Sequence, residues 1–158
     1  MEPKDISKLG LSLLLSFSTG FIGSFFTSMT VDTWYRGLEL PWFAPPGSVI
    51  SAVWITLYVL IGISFYLVIK KGLSNKAVRL ASGIFCVQLF LNAIWSYLFF
   101  GLTSPLYGLI GIVSLWIAIA ATIYVFYQVS KRSAYLLIPY IAWVTIAMAI
   151  NYSIYVLN

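Results

Sequence analysis

Apolar residues along the chain form five long runs separated by short polar segments. Each run is roughly 20 residues long, enough for a helix to cross a bilayer core of about 30 Å. Pro45, Pro46 and Pro105 stand at helix starts, where a missing N–H costs least, and Pro139 lies one turn into the fifth run and predicts a kink. We therefore predict an all-α integral membrane protein, in which residues 1–158 form a single five-helix transmembrane domain. The predicted helices cover about residues 9–27, 48–69, 78–100, 105–128 and 134–156.

The basic residues lie almost entirely on one side of this topology. All but one of the 9 Lys and Arg residues fall in the N-terminal segment, the 70–79 loop or the 129–133 loop, and Arg36 lies on the other side. By the positive-inside rule the N-terminus is cytoplasmic and the C-terminus lies outside. A chain that is 61% hydrophobic and 8% charged fits a multi-pass protein of a bacterial cytoplasmic membrane. Topology accounts for the net charge of +5, so we expect no nucleic-acid partner.

The composition also argues against several chemistries. The chain has no histidine and one cysteine, Cys86, and no Asp, Glu, Lys or Arg lies in the interior of a predicted span. Proton pumps, ion-coupled transporters and intramembrane hydrolases generally need such groups. We expect no metal site and no resident cofactor.

Amide and aromatic residues recur at helical spacing on three of the predicted helices. These shared faces are Trp54 and Tyr58 on the second helix, Gln88, Asn92 and Trp95 on the third, and Trp143, Ala147 and Asn151 on the fifth. Flat rings with a few amides are typical of a site for a flat apolar ligand. Two alternatives stay open: amides also hydrogen-bond between membrane helices, and tryptophans gather at membrane interfaces.

The outer segment 28–47 contains the stretch TWYRGLELPWFAPPG, residues 33–47, which is rich in aromatic residues and proline. Its prolines restrict the backbone and so lower the ordering cost of closing over a ligand. We interpret it as a lid over the site; the alternative is an aromatic cap that only seals the bundle.

Small residues recur at every fourth position of the first helix, at Ser16, Gly20, Ser24 and Ser28. Such a stripe permits close helix contact. It predicts either packing within the chain or a seam between two copies.

Five motifs in order along the chain resemble the translocator protein family, also called tryptophan-rich sensory proteins or peripheral benzodiazepine receptors. The loop pattern matches Trp34, Tyr35, Leu38, Pro41, Pro45 and Pro46, and the second helix matches at Trp54, Leu57 and Tyr58. The third helix matches at Gln88, Leu89, Leu91, Asn92 and Trp95, the fourth at Leu115 and Trp116, and the fifth at Pro139, Tyr140, Trp143, Ala147 and Asn151.

This resemblance implies a bundle that is usually dimeric and binds tetrapyrroles such as protoporphyrin IX and haem, sterols, and isoquinoline or benzodiazepine-type drugs. The family's pocket carries over to Tyr35, Pro45, Trp54, Asn92, Trp143, Ala147 and Asn151, beside which we add Tyr58, Gln88 and Trp95 from the shared faces. Some members are proposed to degrade protoporphyrin by photo-oxidation; here this would involve Trp54 and Trp143.

The chain departs from the family pattern at three points. Leu40 and Phe43 replace a common Lys and Trp around the loop proline, which leaves Arg36 as the basic contact for a porphyrin carboxylate. No basic residue follows Tyr152 or Tyr155, so we discount sterol binding. The lack of histidine favours a metal-free porphyrin over haem. We predict a porphyrin-binding membrane receptor or sensor, with porphyrin degradation in light and oxygen, or facilitated tetrapyrrole transport, as alternatives.

Overall fold

The computed structural model describes residues 3–158, with side chains from residue 5 onward. Within this range six α-helices form five stretches that are long and apolar enough to cross a membrane. The helices are α1 (Pro3–Thr30), α2 (Gly47–Ile69), α3 (Lys76–Ser96), α4 (Pro105–Val129), α5 (Lys131–Leu136) and α6 (Ile138–Leu157). The prediction of an all-helical protein with five spans is confirmed, and the chain is a multi-pass integral membrane protein.

Short polar residues set several helix boundaries. The side chains of Asn75, Ser104 and Ser130 cap the starts of α3, α4 and α5 by accepting hydrogen bonds from backbone N–H groups. The helix of the first span continues beyond its apolar run at both ends, from Pro3 to Thr30. Hydropathy locates the part of a helix that lies in lipid, whereas caps and breaks decide where the helix ends.

The fifth span is broken into two helices. Leu137 separates α5 from α6, and Pro139 occupies the first turn of α6. The predicted kink at Pro139 is therefore a break two residues earlier, because proline lacks the N–H that would continue the ladder of hydrogen bonds. Ser64 of α2 and Ser133 of α5 exchange hydrogen bonds through hydroxyl and carbonyl groups, including Ser133 Oγ to the Ser64 carbonyl at 2.7 Å. This pair holds α5 against α2.

The spans pack as a closed ring. α1 packs on α2 and α3, α4 packs on α3 and α6, and α5 packs on α2. α6 makes much less contact with α2 than α5 does. The rings of Phe65, Phe85 and Phe126 stack inside the bundle, with 4.1 Å between the first two ring centroids. We call the end with the 31–46 loop the loop end, and the end with the 70–75 loop the basic end.

The small-residue stripe of α1 divides into two parts. Ser16 is buried and donates to the Tyr58 carbonyl at 2.7 Å, and Gly20 lies directly against the Tyr58 ring. Ser24 and Ser28 are exposed. The first part therefore serves packing of α1 on α2 within the chain, and the dimer seam stays a prediction for the second.

Candidate ligand-binding site

A chain of four polar side chains joins α2, α3 and α6 inside the bundle. Tyr58 donates its hydroxyl hydrogen bond to Asn92 Oδ1 at 3.1 Å, and Asn92 Nδ2 donates to the Tyr140 hydroxyl at 2.7 Å. The Tyr140 hydroxyl donates in turn to Gln88 Oε1 at 3.0 Å. All four residues are buried. The structure thus brings together three predicted site residues, Tyr58 of α2 with Gln88 and Asn92 of α3.

Tyr140 is the member of this chain that was not among the predicted site residues. It is completely buried and bonds to both amides of α3. It lies three residues before Trp143 on the same helical face, so the 3.6-residue period was a signal that could have found it.

A second polar contact lies nearer the loop end. Trp95 donates its indole N–H to Asn151 Oδ1 at 3.2 Å, and Asn151 Nδ2 donates to the Pro105 carbonyl at 2.9 Å. Asn151 thereby ties α6 to α3 and to the start of α4. Its amide oxygen and nitrogen both have protein partners, so the side chain serves interhelical packing in this conformation.

The ring of Trp54 packs against both tyrosines of the buried polar chain. The Trp54 ring stacks on Tyr58 with a centroid distance of 5.6 Å and meets Tyr140 edge-on at 6.2 Å. Trp54 is half-buried. One face of the indole therefore packs against Tyr58, whose hydroxyl bonds to the Asn92 amide.

A groove of about 430 Å³ separates α2 from α6. Its lining is almost entirely apolar, and of the ten predicted site residues, all of which the structure describes, only Trp143 lines it. Several lining residues are exposed along the membrane-spanning helices, so the groove opens sideways toward lipid. The lining comprises Ala52, Val53, Thr56, Leu57, Leu60, Pro139, Ala142, Trp143 and Ile146. Pro139 lies where α6 begins, which links this opening to the break in the fifth span.

Two buried nitrogens stand out, one of them on Trp143 in the lining of this groove. Gln88 Nε2 and Trp143 Nε1 have no hydrogen-bond partner among residues 3–158, although solvent does not reach either atom. Buried polar groups are nearly always paired, and each exception needs an explanation. We call these atoms the two buried donors.

The 31–46 loop is fastened to the bundle at two points. Trp34 and Tyr35 pack edge-on or tilted against Phe99 and Phe100, with centroid distances from 5.4 to 6.1 Å. Burial there raises the pKa of the Tyr35 hydroxyl. At the other point the Asn158 side chain accepts from the Glu39 N–H at 3.0 Å and donates to the Glu39 carbonyl at 3.1 Å.

The remaining loop residues differ in exposure. Pro45 is half-buried and Ala147 of α6 likewise, whereas Trp42 is 95% exposed. Arg36 forms an exposed ion pair with Asp32 at 2.9 Å. A ligand carboxylate that used Arg36 would have to compete with this pair. In residues 5–158 no group of three or more His, Cys, Asp or Glu side chains could hold a metal ion.

Comparison with known proteins agrees with the architecture. Residues 12–157 match the model of the TspO/MBR family. The chain is 46% identical to the tryptophan-rich protein TspO of Archaeoglobus fulgidus over 98% of this chain and 99% of the relative. It is 37% identical to the translocator protein of Homo sapiens over 98% and 92% of the two chains. It is 31% identical to the tryptophan-rich sensory protein of Cereibacter sphaeroides, over 80% and 78%.

These names support a role as a membrane receptor or sensor. The matched region begins within α1 and ends at the last residue of α6, so it contains the buried polar chain, the groove and the loop. The chain belongs to the TspO/MBR family.

Proposed function

We propose that the protein is a membrane receptor or sensor that binds porphyrins, with protoporphyrin IX first and haem second, and isoquinoline or benzodiazepine-type ligands. The observation that carries the proposal is the meeting of aromatic and amide side chains from α2, α3 and α6 inside the bundle, with Trp143 of α6 in the lining of the groove. The groove volume of about 430 Å³ lies in the range of about 300–1,000 Å³ that is typical of ligand pockets.

The lining chemistry suits a flat apolar ligand. The groove has an apolar surface with Trp143 in its wall, and Trp54 lies one turn from Tyr58 on the facing helix. Indole rings bind flat aromatic systems through large contact areas and offset stacking. Of the predicted residues, we assign Trp54 and Trp143 to stacking, and Tyr58, Gln88, Asn92 and Trp95 to orientation of the ligand.

The loop and residues 147–151 of α6 complete the proposed site. Tyr35 and Pro45 would cover the ligand from the loop end, with Ala147 and Asn151 below them. Ala147 is small and half-buried, which leaves room for a ring. We further propose that the N-terminus is cytoplasmic, that the membrane is a bacterial cytoplasmic membrane, and that the protein is a homodimer.

Quenching of tryptophan fluorescence by protoporphyrin IX in detergent tests the proposal. Trp54→Phe/Trp143→Phe replaces both indoles by smaller rings, which reduces the stacking area and should weaken binding about ten- to hundredfold. Trp116→Phe is the matched control, because Trp116 donates to Thr145 on an exposed part of the bundle. Equal affinity of the double variant and wild type would show that the site lies elsewhere.

The sideways opening of the groove favours facilitated transport as a second candidate function. A ligand that reaches the groove from lipid could leave on either side of the membrane. Protoporphyrin flux into proteoliposomes, compared with protein-free vesicles, tests this role. Porphyrin degradation is tested by illumination: the Soret band must decay faster with protein than in detergent alone.

A further inference from the structure

The 31–46 loop divides into a charged half and an apolar half. Asp32, Arg36 and Glu39 lie in the charged half, residues 31–39, whereas residues 40–69 contain no Asp, Glu, Lys or Arg. The charged half also carries both points at which the loop is fastened to the bundle. The apolar half, residues 40–46, follows these points and leads directly into α2.

The apolar half makes a tight turn whose two corner residues are aromatic. The Ala44 N–H donates to the Pro41 carbonyl at 2.9 Å, so Trp42 and Phe43 are the central residues of a β-turn. Pro41 is buried, whereas the side chains of Trp42 and Phe43 are exposed. Their rings contact each other edge-on, with 5.7 Å between the centroids. Pro41 thus fixes the base of the turn, and the two rings project away from the bundle.

This turn has the wrong residues for a surface in water. Gly, Pro, Asn, Asp and Ser dominate turn corners, because they suit the turn backbone or hydrogen-bond to it. Trp42 and Phe43 do neither, and in water their exposed apolar area would be unfavourable in proportion to its size. The side chains at the corner are therefore suited to an apolar medium.

The length of α2 sets the depth of this turn in the membrane. The 23 residues of α2, Gly47–Ile69, measure about 34 Å at 1.5 Å per residue, slightly more than the hydrocarbon core of about 30 Å. Lys70 and Lys71 follow directly and hold the basic end at the lipid headgroups. The start of α2 then lies at the opposite headgroup boundary, and the turn ends at Ala44, just before it.

The exposed apolar surface of the turn continues onto α2. Leu40 before the turn and Val49 in the first turn of α2 are both exposed. Ala52, Ile55 and Val59 continue along one face of the helix as an exposed stripe. Exposed apolar side chains on a membrane-spanning helix face lipid, so the turn extends a surface that already meets lipid.

We propose that Trp42 and Phe43 insert into the headgroup boundary of the bilayer at the loop end and anchor the loop to lipid. Tryptophan suits this depth, because its ring is apolar and its N–H bonds to headgroups or water. The loop is then held from two sides, by the bundle through its charged half and by lipid through its apolar half. This inference goes beyond the proposed function, since it depends on no bound ligand.

Fluorine NMR of the full chain in lipid nanodiscs, labelled with 5-fluorotryptophan, tests the contact. The Trp42 resonance is the one that disappears in Trp42→Phe. A lipid with a nitroxide near the top of its acyl chain should broaden this resonance more than a water-soluble gadolinium chelate does. Trp34, half-buried in the charged half and assigned in the same way with Trp34→Phe, is the reference, and the nitroxide lipid should broaden it less than Trp42.

Two results of this experiment would overturn the proposal. Stronger broadening by the chelate than by the nitroxide lipid would place the turn in water. Protection from both reagents would mean that protein covers the ring, either a second copy of the chain or another part of the same one.

Hydrogen exchange at the Ala44 amide, which closes the turn, gives a second test in the same nanodiscs. In Trp42→Ser this amide should exchange about tenfold faster, since half the transfer free energy of a large apolar side chain corresponds to about one decade. Serine suits a turn better than tryptophan does. Without a lipid contact the rate should therefore stay the same or fall, and that result would also overturn the proposal.

The controls separate anchoring from folding. Because Trp42 is 95% exposed, Trp42→Ser should unfold at the wild-type temperature in detergent. Thr33→Ala, at an exposed position of the charged half, should leave exchange at Ala44 unchanged. An equal acceleration in Thr33→Ala would show that the exchange reports general loosening of the loop and would contradict anchoring through Trp42.

Discussion

Thr30 at the end of α1 donates its hydroxyl hydrogen bond to the backbone carbonyl of Phe100 at 3.0 Å. That carbonyl belongs to a π-helical turn, Tyr97–Gly101, that ends the third span. The wider turn directs the N–H of Leu102 to Tyr97 and that of Ser104 to Phe99, and Thr30 bonds to Phe100. The same turn buries Phe99 and Phe100 under the loop residues Trp34 and Tyr35.

Replacement of this hydroxyl should loosen the loop end. Thr30→Val keeps the shape of the side chain but leaves the Phe100 carbonyl without its donor, which should lower the free energy of unfolding by about 1 kcal/mol. Amide hydrogen exchange at residues 97–102 should accelerate as well. Thr33→Val is the control, because Thr33 is exposed; an equal effect there would contradict this account.

Tyr140→Phe should destabilise the bundle with little change in side-chain volume. The variant removes two buried hydrogen bonds, to Asn92 and Gln88, and membrane hydrogen bonds contribute about 0.6 kcal/mol each on average. We expect a loss of about 1–2 kcal/mol, measured by unfolding in mixed micelles. Tyr152→Phe, on an exposed position, should change stability little. A Tyr140→Phe variant as stable as wild type would mean that the chain of polar groups contributes no net free energy.

Gly20 permits the close approach of α1 to α2. A Cβ atom at this position would overlap the Tyr58 ring, so Gly20→Val should shift the ring and cost about 1–3 kcal/mol. Displacement of Tyr58 should also weaken ligand binding, because Trp54 stacks on that ring. Gly10→Val serves as control, since nothing lies within 4 Å of a Cβ there. Equal stability of the two variants would show that α1 can move away freely.

The ion pair at the basic end predicts a pH effect. Lys70 Nζ lies 3.1 Å from Asp5 Oδ2, and the hydrogen bond to Asp5 is the largest cause that raises the Lys70 pKa above its usual 10.5. A raised folded-state pKa favours the folded state below pH 10.5, and this contribution is lost as the pH rises through the folded-state value. The Asp5→Asn variant should return the Lys70 pKa, followed by NMR of the ammonium group, toward 10.5. An unchanged titration would mean that Asp5 does not hold the proton on Lys70.

Release of the loop should change the kinetics of binding. Asn158→Ala removes both side-chain bonds to Glu39, which are exposed and contribute little to stability, roughly below 1 kcal/mol. We expect faster hydrogen exchange at the Glu39 amide and a shorter residence time of protoporphyrin, because a looser lid opens more often. Asn75→Ala is a control at the opposite end. A residence time that is unchanged while exchange accelerates would contradict the lid interpretation and favour a cap that only seals the bundle.

The sequence predicted which faces carry the polar residues better than it predicted their partners. Gln88, Asn92 and Trp95 do share a face of the third span, and all three lie in interhelical contacts. The 3.6-residue period identifies such a face because the face of a helix depends only on the sequence of that helix. It carries no information on which helix lies opposite, and so Tyr140, 48 residues away from Asn92, was missed as the central partner.

The sequence by itself determined the five spans. A run of about 20 apolar residues in lipid must satisfy its backbone internally and therefore forms helix. Only the tertiary structure decided that the two buried donors lack partners in the described chain and that one of them, on Trp143, belongs to a residue lining a groove between α2 and α6. The Ser64–Ser133 bonds hold α5 on α2. After the break at Leu137, α6 makes much less contact with α2. These features depend on the relative positions of helices, which long-range packing sets and local periodicity does not encode.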